Sequence, residues 1–181
     1  QPENKPTKFL YHNVLIEVNF PPWDQINSPQ QVLGEYRRAG AFRPSNILSD
    51  PSGDLAPLFS AVSRDFAKHY WVRERCEGAM RNTRGYLQRV NEFPLHHDQV
   101  TCWLFGTAGL CHVVLTAGLQ NPTVRRRYME ARMLLAEHGH LDLYEDLMEL
   151  QGSAEIGKER VEHHLDAVTE VFDFAKDIII T

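Results

Sequence analysis

The sequence predicts an α+β protein in which the remnant of a mixed sheet is followed by a mainly α-helical bundle of about five helices. Apolar residues alternate with polar ones over 14–20, as they do in a β-strand with one packed face. From about residue 54 onward the apolar residues recur at helical spacing instead. These patterns predict two domains, the C-terminal part of an α/β domain over 1–53 and a helical bundle over 54–181.

The N-terminal region is predicted to contain two strands. A short strand over 8–12 pairs with the strand over 14–20 across a turn at His12 and Asn13. Pro21 and Pro22 end the second strand, because proline has no N–H to donate to a ladder. The sequence therefore predicts a hairpin near the start of the chain.

One short helix and one turn are predicted before the bundle. Ser28 is placed to accept hydrogen bonds at the start of a helix whose first residue is Pro29 and which ends near Gly40. An extended segment over 46–49 follows. The sequence Asp-Pro-Ser-Gly over 50–53 then predicts a β-turn, because these residue types favour turn conformations.

The rest of the chain is predicted to be helical. Asp54 caps the first long helix, in which Gly78 or Gly85 is a candidate point of interruption. In the last helix, apolar residues spaced by four and three positions predict a stripe that faces the core. The predicted helices span 55 to about 90, 97–119, 122–138, 141–150 and 155–179; the stripe comprises Val161, Leu165, Val168, Phe172, Ala175 and Ile179.

Composition excludes several classes of function. The net charge is −5 and the pI is about 6.0, so binding to nucleic acid through bulk positive charge is not expected. The most apolar run, 100–119, is interrupted by glycines and predicts a buried core helix and not a membrane span. The three cysteines, Cys76, Cys102 and Cys111, form no C-x-x-C pair, which favours a reduced, cytoplasmic protein.

Glu17 is the leading candidate for a catalytic residue. It lies in the middle of an apolar strand, where a carboxylate is unfavourable unless a metal ion, a cation or a substrate hydroxyl partners it. The alternative is an edge strand with Glu17 in solvent. Trp23 and Asp24, which follow this strand, are candidate substrate contacts.

Arginine clusters are candidate anion sites. Arg125, Arg126 and Arg127 are predicted to lie in the first turns of a helix, where cations oppose the helix dipole unless an anion binds nearby. The alternative is a solvated face paired with Glu130 and Glu137. A second, looser group of Arg37, Arg38 and Arg43 lies around Gly40. Because His96-His97-Asp98 better fits a helix start than a metal site, no metal ligands are predicted in this chain.

The segment Leu15-Ile16-Glu17-Val18-Asn19-Phe20 resembles the aminoglycoside nucleotidyltransferases, most closely the kanamycin type. In that family a strand reading V-E-V-N-F carries a catalytic carboxylate. It is followed by an acidic helical segment, an extended segment, an aspartate-glycine turn and a long helix. The counterparts here are 24–38, 47–48, 50–53 and the helix from Leu55. The resemblance covers about residues 9–90, and the remainder is similar only in architecture.

This resemblance implies transfer of a nucleoside monophosphate from a nucleoside triphosphate such as ATP to a hydroxyl of a small acceptor, an aminoglycoside in antibiotic resistance. It implies Mg²⁺ as a cofactor, Glu17 as the general base and a homodimer that shares the site. The family's glycine-serine turn with a following pair of acidic residues is not found in this chain. The chain begins with Gln1, so the expectation is a C-terminal part that is inactive alone. The alternative is a non-catalytic helical module that binds a ligand or a partner.

Overall fold

The computed structural model of the chain describes residues 7–43, 46–123 and 125–179. These residues form a two-stranded antiparallel sheet and seven α-helices, so the predicted α+β class with a mainly helical remainder is confirmed. The elements are β1 (Lys8–Tyr11), β2 (Val14–Glu17), α1 (Pro29–Gly34), α2 (Leu55–Asp65), α3 (His69–Arg89), α4 (His96–Ala117), α5 (Arg127–Glu137), α6 (Leu141–Leu150) and α7 (Lys158–Ile179), with 3-10 turns at Trp23–Gln25 and Ala39–Phe42.

The hairpin turns where the sequence predicts. Tyr11 pairs with Val14 at the turn, and Lys8 pairs with Glu17 at the open end. His12 and Asn13 both have positive φ, 47° and 62°, which matches the right-handed twist of the flanking strands. The prediction placed the end of the second strand at residue 20, but the strand ends at Glu17, which pairs with Lys8. The next residue, Val18, still donates its backbone N–H to the carbonyl of Thr7 at 2.8 Å.

The chain divides into two compact units, 1–78 and 79–181. This division differs from the predicted domain boundary after residue 53, because α2 packs with α1 and with the 3-10 turn at Ala39–Phe42. The Phe42 and Phe59 rings, for example, lie 4.8 Å apart. The core of the first unit includes Ile26, Val32, Leu33, Tyr36, Ala39, Leu58, Val62 and Phe66.

The first helix begins as predicted and ends early. Ser28 Oγ accepts a hydrogen bond from the backbone N–H of Gln31 at 3.4 Å, and Pro29 is the first helical residue. The helix ends at Gly34 because Glu35 has an extended backbone. The segment over 46–49, which is predicted to be extended, forms neither a strand nor a helix.

The carboxylate that caps α2 is Asp50 and not Asp54. Asp50 Oδ2 accepts hydrogen bonds from the backbone N–H groups of Leu55 and Ala56, both at 3.1 Å. Asp54 makes no capping hydrogen bond from its side chain. The predicted turn over 50–53, closed by the Gly53 N–H donating to the Asp50 carbonyl, brings Asp50 back to the helix start.

Replacing Asp50 by alanine is expected to lower the free energy of unfolding by about 1 kcal/mol, because two N–H groups at the helix start lose their acceptor. The matched variant Asp54→Ala is expected to change it by less than about 0.5 kcal/mol. Urea denaturation of both variants checks the difference. Equal effects, or a larger effect at Asp54, would contradict the assignment of the cap.

The predicted long helix over 55–90 is two helices, α2 and α3, separated at Phe66–Lys68 and not at Gly78 or Gly85. The break frees the carbonyl of Phe66 from helix hydrogen bonding. Arg75 supplies a hydrogen-bond donor for this carbonyl, because its Nη2 donates to Phe66 O at 2.7 Å. Its Nη1 donates to Leu33 O at 3.1 Å. Arg75 is 1% exposed, and its guanidinium lies 4.2 Å from the centre of the Phe66 ring. Burial lowers the pKa of this guanidinium.

In the second unit α4 is a core helix, as predicted. Its buried face includes Cys102, Ala108, Cys111 and Leu115, and it packs mainly against α5. Burial raises the pKa of the Cys111 thiol to about 11, so this thiol is unreactive at neutral pH. By length and composition α4 is the one helix of the described residues that could cross a membrane.

Glycines allow neighbouring side chains to approach α4. A Cβ added to Gly106 would meet the side chain of Leu87, and one added to Gly109 would meet Thr83 Oγ1. A Cβ at Gly118 would likewise meet Leu134. The space beside these glycines is therefore filled by packed side chains.

Replacing Gly109 by alanine is expected to destabilise the protein by about 2 kcal/mol, because the new methyl group overlaps the buried Thr83 side chain. Gly85→Ala on α3 is the matched control. A Cβ there meets nothing within 4 Å, so the free energy of unfolding should rise by about 0.5–1 kcal/mol. Thermal unfolding of the two variants should therefore shift in opposite directions, and two shifts of the same sign would contradict this packing.

The last three helices differ from prediction in two ways. α5 begins at Arg127 and not at Pro122, so Arg125 precedes the helix and Arg126 is its N-cap residue.

The apolar stripe of α7 does not face a core, because every described side chain from 158 to 178 is exposed. The prediction of a core-facing stripe is therefore wrong in this structure, although the helix itself is confirmed.

Candidate functional site

Glu17 lies at the open end of the hairpin and reaches solvent. Its side chain is 59% exposed, and its Oε1 lies 3.8 Å from Nζ of Lys8, the residue opposite it on β1. This is a loose ion pair across two strands. The structure thus matches the edge-strand alternative for the environment of Glu17, while its role as a general base stays a prediction.

A cavity of about 720 Å³ begins two residues after Glu17. We call it the hairpin cavity; its lining includes Asn19, Pro21, Gln25, Glu35, Arg37 and Arg38. Glu17 itself does not line it, but two residues of chain place the Glu17 Cα within about 7 Å of the Asn19 Cα. The volume lies in the range of about 300–1,000 Å³ that is typical of small-molecule sites.

Arg38 holds one wall of the hairpin cavity in place. Its Nη1 donates to the carbonyl of Gln25 at 2.7 Å, and its Nη2 donates to Gln25 Oε1 at 3.0 Å. Both acceptors are neutral, so these two contacts leave the positive charge of Arg38 uncompensated. The pair joins residues thirteen positions apart, and no spacing in the sequence indicates such a contact.

Arg37 and Glu35 give the cavity a mixed charge. The backbone N–H of Arg37 donates to Glu35 Oε1 at 3.2 Å, and the Arg37 guanidinium lies 4.9 Å from the centre of the Tyr36 ring. Two arginines and one glutamate thus border the same space. The structure brings together two members of the predicted basic group, Arg37 and Arg38.

Arg43, the third member of that group, lies elsewhere. Its guanidinium stacks 4.5 Å from the centre of the Phe66 ring, and it borders a different cavity of about 340 Å³ with Ser60, Ser63 and Arg64. Arg64 is paired with Asp65 at 2.9 Å. The hydrogen bonds from Arg64 and Lys68 lower the pKa of the Asp65 carboxyl.

The two candidate substrate contacts do not line the hairpin cavity. Trp23 is 48% exposed and borders a separate cavity of about 340 Å³ with Asn27, Asp54 and Pro57. Asp24 is exposed and lies in the same 3-10 turn as Trp23. Their predicted contact with a substrate stays a prediction.

The arginine cluster Arg125–Arg127 belongs to the second unit. Arg126 Nη2 lies 2.8 Å from Glu130 Oε1, which is the pairing expected from the alternative interpretation. The Arg127 guanidinium lies 5.8 Å from the centre of the Tyr128 ring. Binding of phosphate by this cluster stays a prediction.

The chain does not provide a metal centre in the part that the structure describes. No group of three or more histidine, cysteine, aspartate or glutamate side chains there could hold a metal ion. The side chains of His97 and Asp98 approach to 3.6 Å, and Asp98 lies in the first turn of α4, where an acidic residue is favourable. The Mg²⁺ that the resemblance implies therefore stays a prediction.

No family model, curated protein or solved structure matches this chain.

Proposed function

We propose that this chain contributes the acceptor side of a nucleotidyltransferase, which moves a nucleoside monophosphate from a nucleoside triphosphate to a hydroxyl of a small acceptor. The observation that carries the proposal is the position of Glu17. Its accessible carboxylate ends a strand two residues before the wall of the hairpin cavity. The acceptor class is an aminoglycoside and the location is cytoplasmic.

In this proposal Glu17 is the general base. A base has to come within hydrogen-bond distance of the hydroxyl from which it takes a proton. The exposure of Glu17 and its loose contact with Lys8 leave the carboxylate within reach of an acceptor.

The hairpin cavity supports binding of charged ligands. Arg37 and Arg38 suit the phosphate oxygens of a nucleotide, because a guanidinium donates several hydrogen bonds to such groups. Glu35 offers a carboxylate to an ammonium group of a cationic acceptor. The resemblance assigns metal binding in such an enzyme to a pair of acidic residues after a glycine-serine turn, a motif that is not found in this sequence.

The experiment is an assay of the complete gene product that contains this chain. Purified protein is incubated with Mg²⁺, each nucleoside triphosphate and a panel of aminoglycosides, and the release of pyrophosphate is followed. We expect release that depends on both the nucleotide and the acceptor. Release without an acceptor, or none with any acceptor, would contradict the proposal.

One argument for the alternative function, a non-catalytic helical module, does not hold for this fold. A ligand pocket beside the glycines of α4 would favour such a module, but the side chains of Thr83, Leu87 and Leu134 fill that space. A thermal-shift screen of this chain distinguishes the two functions. Stabilisation by a ligand in the absence of metal, together with no transferase activity, would favour the module.

A further inference from the structure

The last helix carries an apolar stripe that no part of its own chain covers in the described residues. The stripe comprises Val161, Leu165, Val168, Phe172 and Ala175, and each of its four large side chains is 43–67% exposed. Val171 and Ile178, 68% and 61% exposed, widen the stripe along one side. α7 has 22 residues and is therefore about 33 Å long. Such a face is unfavourable in water unless a partner buries it.

The spacing of the stripe is that of a coiled coil. Gaps of four and three residues place Val161, Val168 and Ala175 at d positions and Leu165 and Phe172 at a positions. Glu162, Thr169 and Lys176 then occupy the e positions, which flank the seam. Charges at the e and g positions decide which helix pairs with which and in what orientation.

We propose that α7 pairs antiparallel with α7 of a second copy of this chain. In an antiparallel pair, a positions of one helix face d positions of the other, and e positions face e positions. Registers that satisfy both conditions differ from one another by shifts of seven residues, and the charges at the e positions select one of them. This register sets Phe172 against Val168 of the second copy and Leu165 against its Ala175, so that each of these two side chains meets a smaller one.

The same register pairs opposite charges. It sets Glu162 against Lys176 of the second copy, and by symmetry Lys176 against the second Glu162, so that two ion pairs form per dimer. Within one chain Glu162 already lies 3.5 Å from Nζ of Lys158, one helical turn earlier, and both side chains are exposed. With this contact formed, the Glu162 carboxylate still lies beside the apolar stripe.

Parallel pairing fits the sequence less well. It would set Lys158, the a position before Leu165, against the same lysine of the second copy. It would also set Ala175 against Ala175 in one layer and Phe172 against Phe172 in the next. The alanine layer would then be underpacked and the phenylalanine layer overpacked. The antiparallel register avoids the Lys158–Lys158, Ala175–Ala175 and Phe172–Phe172 contacts, so both the charges and the side-chain volumes favour it.

The first experiment measures self-association of the full chain by sedimentation equilibrium over a dilution series. The wild type is expected to form dimers, and Val168→Glu is expected to weaken dimerisation at least about 100-fold, because a carboxylate would be buried against Phe172 of the second copy. Circular dichroism checks that the variant stays helical. A monomeric wild type, or an unchanged dimer of Val168→Glu, would overturn the proposal.

The second experiment tests orientation and register by reversing charges. Glu162→Lys and Lys176→Glu are each expected to weaken dimerisation about tenfold at low ionic strength, because like charges then face each other. An equimolar mixture of the two variants, or the double variant, is expected to recover wild-type affinity within about twofold. Glu170→Lys, the same change on the outward face, is the matched control. No recovery, or an equal effect of Glu170→Lys, would overturn the register.

Discussion

Replacing Arg75 by methionine is expected to lower the free energy of unfolding by about 3 kcal/mol. The guanidinium is buried and donates to two main-chain carbonyls, those of Leu33 and Phe66. Methionine fills similar space but leaves both carbonyls without these donors inside the first unit. The stacking of the cation on the Phe66 ring is lost as well. Urea denaturation followed by circular dichroism measures the change.

Arg73→Met is the matched control, because it makes the same substitution two residues away on the same helix. Arg73 is exposed, and its Nε lies 2.8 Å from Glu77 Oε1 in an ordinary surface pair. Such pairs contribute about 0–1 kcal/mol, so a change of less than about 1 kcal/mol is expected. Similar losses for the two variants would show that Arg75 does not hold the break between α2 and α3.

Glu17→Gln is expected to reduce nucleotidyl transfer by the complete protein about 10²- to 10⁴-fold, which is the usual contribution of a general base. Glutamine keeps the shape of the side chain but cannot accept the proton of the attacking hydroxyl. Stability should change by less than about 1 kcal/mol, because Glu17 is exposed and its pair with Lys8 spans 3.8 Å. The rate of pyrophosphate release at saturating substrates measures the effect.

Glu145→Gln makes the same change at an exposed carboxylate on α6 and should leave the rate unchanged. The thermal unfolding of both variants should match that of the wild type. A Glu17→Gln protein that transfers at the wild-type rate would remove Glu17 from the mechanism. A variant that loses activity only because it unfolds would be recognised by its shifted unfolding temperature.

Local features of the fold could be predicted from the residues that form them. The hairpin turn at His12 and Asn13, the cap at Ser28 and the turn that closes on Gly53 all appear where the sequence indicates. Each depends on contacts within about five residues. The cap of α2 was assigned to the wrong aspartate because the turn over 50–53 folds Asp50 back on the helix, and adjacency in sequence favours Asp54.

The candidate site could be predicted only in part. Sequence reasoning selected Glu17, Arg37 and Arg38, and the structure places the two arginines at one cavity beside the strand that carries Glu17. It missed Gln25, whose carbonyl and side chain hold Arg38. It also missed Arg75, because nothing in a helical pattern distinguishes a buried arginine from a solvated one.

By itself the sequence determined that a hairpin precedes a series of helices and which face of α7 is apolar, since both follow from the periodicity of the backbone. Only the tertiary structure decided what each face meets. Packing placed Arg75 in a core and split one predicted helix in two, and it left the stripe of α7 exposed. The periodicity of apolar residues indicates which face of a helix is apolar. Whether that face is buried depends on contacts between residues far apart in the chain.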